Sequence, residues 1–105
     1  PQRHHVQRIL EWSHDLPQDA SVVVHCYAGK CRSTAVGLAL HMQANPCLGA
    51  QEAHEWLISQ VPDAYPNILL ARYLDEEMGR GGEFVKLCED IRTASALAVM
   101  RERWG

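Results

Sequence analysis

The chain has 105 residues, 47% of them hydrophobic and 22% charged, with 10 basic against 13 acidic side chains and a formal net charge of -3. These values describe one soluble domain with a modest single core, and they exclude intrinsic disorder and a pair of independent domains. The longest apolar runs, Ser21 to Cys26 and Ala94 to Met100, fall far short of the roughly 20 residues that span a bilayer. A pI near 6.0 leaves no overall basic field for a nucleic-acid backbone, so any anion must be held by a local arrangement of donors.

From His4 to Leu16, Val6, Ile9, Leu10 and Trp12 stand at helical spacing between polar residues and predict an amphipathic helix that ends before Pro17. Gln18-Asp19-Ala20 reads as a turn. Ser21-Val22-Val23-Val24-His25-Cys26 is short, β-branched and continuously apolar, which predicts a strand buried on both faces of a sheet. The segment from Tyr27 to Cys31 is a loop, and Arg32-Ser33-Thr34 opens an apolar, small-residue helix that Asn45-Pro46 stops. Further helices are predicted over Ala50 to Gln60, Asn67 to Met78 and Glu83 to Arg103. Ile68, Leu69, Leu70, Tyr73 and Leu74 supply the apolar face of the second of these. Phe84, Leu87, Cys88, Ile91, Ala94, Leu97 and Ala98 supply that of the last, and Gly79-Arg80-Gly81-Gly82 is a hinge or C-cap cluster between them. The expected architecture is an α/β fold, a largely helical portion with one central strand. A lone buried strand leaves its backbone groups without partners, so its neighbours are expected upstream of Pro1, in a longer gene product.

Cys26, Cys31, Cys47 and Cys88 are too few and too irregular for a secreted disulfide scaffold, and a reducing cytoplasm is the expected setting. The six histidines and four cysteines show no C-x-x-C pair and no H-E-x-x-H, so no metal and no cofactor are expected. Cys47 and Cys88 read as packing residues. The three tryptophans read as core, and Arg101-Glu102-Arg103 as a solvated helix end.

The segment from His25 to Ser33 joins the predicted strand to the start of a helix. Successive N–H groups of such a loop converge where unsatisfied donors and the helix dipole favour an anion. Gly29 allows the turn, and Arg32 adds a planar fork suited to two phosphate oxygens. The N–H groups of Tyr27, Ala28, Gly29, Lys30, Cys31 and Arg32 would form the cradle. Cys26 at its base would then be a low-pKa thiolate facing a bound phosphoryl group.

His25-Cys26, five residues, then Arg32-Ser33 resembles the H-C-x(5)-R-S/T signature of the cysteine-dependent protein tyrosine and dual-specificity phosphatases. The wider chain is similar to small prokaryotic tyrosine-phosphatase-like proteins through the helix Ser33 to Ala44, Pro66-Asn67 and the Gly-Arg-Gly-Gly turn. The resemblance implies hydrolysis of phosphomonoesters, foremost phosphotyrosine in proteins. Cys26 would form a phosphocysteine, Arg32 and the loop amides would bind the equatorial oxygens, Ser33 would assist the sulfur's departure, His25 would orient the loop, and Asn67 would steady it from outside. The general acid of the family is an aspartate well before the cysteine. Only 25 residues precede Cys26, and Asp15 and Asp19 read as helix-end and turn residues, so the acid is expected upstream of Pro1, with Asp63 the candidate within the chain.

Several alternatives stand beside this reading. The loop also suits a non-catalytic phosphate- or phosphoprotein-binding module, and Lys30 admits a phosphoinositide phosphatase, although Tyr27 stands where those carry a second lysine. A rhodanese-like sulfurtransferase also places a cysteine in an anion-binding loop. Cys31, five residues from Cys26, is either a redox partner for it or a small residue facing the next helix.

Overall fold

Apolar positions recurring every three or four residues fold as helices throughout the part of the chain that the computed structural model describes, residues 2–16 and 31–104. The elements are α1 (Arg3–His14), α2 (Arg32–Ala44), α3 (Ala50–Gln60), α4 (Ile68–Met78) and α5 (Glu83–Trp104). The described residues contain no strand, and the α/β expectation is corrected to an all-helical architecture. The predicted strand at Ser21 to Cys26 lies outside the described residues. A sheet is not what closes the core among the described elements: α4 packs against α1, α2 and α5, and α3 bridges α2 and α5. Val6 of α1, Leu38 and Met42 of α2, Leu74 of α4, and Phe84 and Ile91 of α5 are fully buried. Each such side chain contributes about 1.5–3 kcal/mol through burial alone.

Local chemistry sets the helix ends. The Asn67 side chain caps α4, its Oδ1 accepting from the Leu70 N–H at 2.9 Å, so the helix begins one residue later than the spacing predicts. At the other end Gly79 adopts φ +68°, and the Gly79 and Arg80 N–H groups return to the carbonyls of Glu76 and Asp75 in a Schellman-type pair. Asp75, buried in the last turn of α4, spans the corner to α5. Its carboxylate accepts from the N–H groups of Gly82 at 2.8 Å, Phe84 at 2.7 Å and Val85 at 3.1 Å. Three otherwise orphaned donors of the α5 N-terminus are thereby satisfied.

Three apolar expectations are corrected. Trp12 is 55% exposed, because Val6 and Leu10 carry the buried stripe of α1 and Trp12 lies off it. Leu97 is 47% exposed, with Ala94 and Ala98 also exposed, because α5 continues past Ser95, and residues 96–103 beyond it are all exposed. Cys47, in the α2–α3 connection, is exposed rather than packed, whereas Cys88 is fully buried. Among the described residues no helix is long and apolar enough to cross a membrane.

Candidate functional site

Of the residues singled out in the sequence, His25, Cys26, Tyr27, Ala28, Gly29 and Lys30 lie outside the described residues. The other members of the loop form the beginning of α2. Cys31 is the half-buried N-cap, Arg32 is the exposed first residue of the helix, and Ser33 and Thr34 are buried in its first turn. That turn carries no acidic residue. The fixed positive charge of Arg32 therefore adds to the positive end of the helix dipole, with no acid in that turn to cancel it.

The Cys31 carbonyl is the origin of α2 and the best-anchored group here. It accepts from the Thr34 hydroxyl at 2.8 Å, from the Ala35 N–H at 3.3 Å, and from the Asn67 N–H at 3.1 Å across 36 residues of chain. Asn67 thus meets Cys31 through its backbone N–H. Its side-chain oxygen serves the α4 cap instead.

The α3–α4 connection, residues 61–67, is in turn held by α5. The Ser95 hydroxyl donates to the Ala64 carbonyl at 2.6 Å in a buried setting. The Arg92 guanidinium donates to the Pro66 carbonyl at 3.2 Å and lies over the Tyr65 ring, 3.9 Å from its centroid. Asp63 is exposed on this same connection, four residues from Asn67, a reach of at most about 14 Å along the chain.

No family model, no curated protein and no solved structure matches this chain. The chemistry of its own residues therefore carries the functional reading.

Arg92 and Ser95 were not legible as parts of this region, because both act on backbone carbonyls and no motif marks such a partner. The one available sign is a pair of polar residues three apart on a helix whose neighbouring positions, Ile91 and Cys88, are buried. Among the described residues no group of three or more His, Cys, Asp or Glu side chains is placed to hold a metal ion.

Proposed function

We propose that the chain carries the nucleophile and phosphate cradle of a cysteine-dependent phosphatase, acting on phosphomonoesters and foremost on phosphotyrosine in proteins. The observation that carries this reading is His25-Cys26 followed at the required interval by Arg32-Ser33, with α2 beginning at Arg32. In the first step the Cys26 thiolate attacks phosphorus, the ester oxygen leaves with the bonding pair, and a general acid supplies its proton. Water then attacks the phosphocysteine, a base takes its proton, and the thiolate departs to leave inorganic phosphate. Throughout, the Arg32 guanidinium and the amides at the start of α2 face the charge on the equatorial oxygens.

Support for the anion-binding half comes from the acid-free first turn of α2 and the firmly held Cys31 carbonyl. Within the chain, Asp63 on the α3–α4 connection is the candidate general acid. Turnover of 4-nitrophenyl phosphate by the 105-residue chain, abolished in Cys26→Ser, is the expected result. Phosphate binding without turnover would instead identify a phospho-ligand binding module, and persulfide transfer to cyanide would identify a sulfurtransferase.

A further inference from the structure

The carbonyl of Pro66 and the N–H of Asn67 belong to one planar peptide unit. Arg92 holds one edge of that plane, at 3.2 Å, and the Cys31 carbonyl receives a hydrogen bond from the other, at 3.1 Å. We propose that Arg92 is a positioning residue for the phosphate site, setting the direction of the first turn of α2 through the Pro66–Asn67 peptide. This inference rests on the phosphate-binding reading of the loop.

Three features make Arg92 suited to the task. A cationic donor on the Pro66 carbonyl polarises the peptide and strengthens its N–H as a donor to Cys31. The guanidinium is itself fixed, since it lies over the ring of Tyr65, the residue preceding Pro66. Finally, the Ser95 hydroxyl, one turn further along α5, grips the Ala64 carbonyl, so the connection is tied to α5 at two points and cannot pivot about one. Cys31 immediately precedes Arg32, and its carbonyl starts the hydrogen-bond ladder of α2 by accepting from the Ala35 N–H. A tilt of that carbonyl swings the Arg32 fork and the first turn of α2 together. Misplacement of about 1 Å in such a constellation costs up to about 100-fold in rate.

The test is a double-mutant cycle on the full 105-residue chain, reading the affinity for inorganic phosphate by calorimetry, with kcat and KM on 4-nitrophenyl phosphate alongside. Arg92→Gln is expected to weaken phosphate binding and lower kcat by about tenfold each. Asn67→Pro removes the N–H that meets Cys31, and the native φ of -66° suits proline. It should produce a similar loss. The accompanying loss of the α4 cap is common to both backgrounds and cancels in the cycle. If Arg92 acts through this peptide, the double variant is no worse than Asn67→Pro alone, a coupling that an independent packing role does not produce.

Protection of the buried Cys88 from iodoacetamide reports that each variant is folded. Should Arg92→Gln lose that protection, Tyr65→Leu at the exposed ring takes its place in the cycle, with losses in the same direction expected. Unchanged affinity and kcat in the folded Arg92 or Tyr65 variant, or losses that multiply in the double variant, would overturn the proposal. A wild-type chain that binds phosphate without turnover sinks the enzymatic reading alone, and the cycle is then read on affinity. A wild-type chain that does neither sinks both.

Discussion

Cys88 and Cys47 carry the same thiol in opposite settings. Burial, reinforced by the nearby Asp75 charge, pushes Cys88 up to about 12, so at neutral pH it is a packing group with almost no thiolate. Cys47 is exposed between α2 and α3. In native protein at pH 8, iodoacetamide is expected to modify Cys47 readily and Cys88 only on unfolding, as followed by peptide mass spectrometry. On the proposed function Cys26 reacts ahead of both, and inorganic phosphate slows it selectively. Equal rates at Cys88 and Cys47 in folded protein would contradict the packed environment of Cys88, and absence of phosphate protection would remove the activated nucleophile. Arg32 belongs to the same scale. Because an ammonium presents a point charge where the guanidinium presents two parallel donors, Arg32→Lys is expected to weaken phosphate binding about tenfold or more despite the preserved charge.

Between elements, the joint that matters most is the corner from α4 to α5. Asp75 is buried with three backbone N–H donors on its two oxygens, and removal of the carboxylate leaves all three without an acceptor. Asp75→Ala is expected to destabilise the fold by about 3 kcal/mol or more, lowering Tm by more than about 10 °C. Asp75→Asn, which keeps one acceptor oxygen, should fall between it and the wild type. A calorimetric melt of the three proteins decides, and an unchanged Tm in Asp75→Ala would show that water takes the place of the carboxylate. Nothing in the sequence marks Asp75 for this role, since it is the first of three consecutive acidic residues with Glu76 and Glu77. The helices themselves were legible, α3 to the residue, because a 3.6-residue period and the Pro and Gly stops are properties of local chain. Which apolar residues become core was legible only in part. Leu97 and Ala98 continue the stripe of Phe84, Leu87 and Ile91, and whether a stripe is covered depends on where its neighbours end. Likewise the start of α2 at Arg32 was local information, whereas the Arg92 to Pro66 bond depends on how α5 lies against the α3–α4 connection.

At the scale of the whole molecule, the body is 47 Å long and 28 by 27 Å across, and α5 alone, at 22 residues, is about 33 Å in length. Stability of this body is expected to depend on pH through His41, which lies in the last turn of α2 and stacks on Trp56 of α3, with ring centroids 3.8 Å apart and planes within 2° of parallel. Partial burial in that stack holds its pKa below the usual 6.5. The imidazolium is thus disfavoured in the folded state relative to the unfolded chain. Above about pH 6.5 both states carry neutral His41, and its packing contribution is fully present. As pH falls below 6.5 the unfolded chain takes up the proton first, so stability declines until the folded value is passed and both states are charged. The slope is a fraction of the about 1.4 kcal/mol per pH unit that one whole proton carries. Urea unfolding of the wild type and His41→Gln at pH 7.5, 6.5 and 5.5 isolates the term, because the remaining histidines and the carboxylates are common to both proteins. The expected result is a wild-type loss on acidification that exceeds the variant's, with the difference between them opening below pH 6.5. Parallel curves would show that the stack tolerates the charged ring, and a wild type gaining on the variant toward low pH would show that the C-terminal dipole of α2 outweighs the burial of the imidazole.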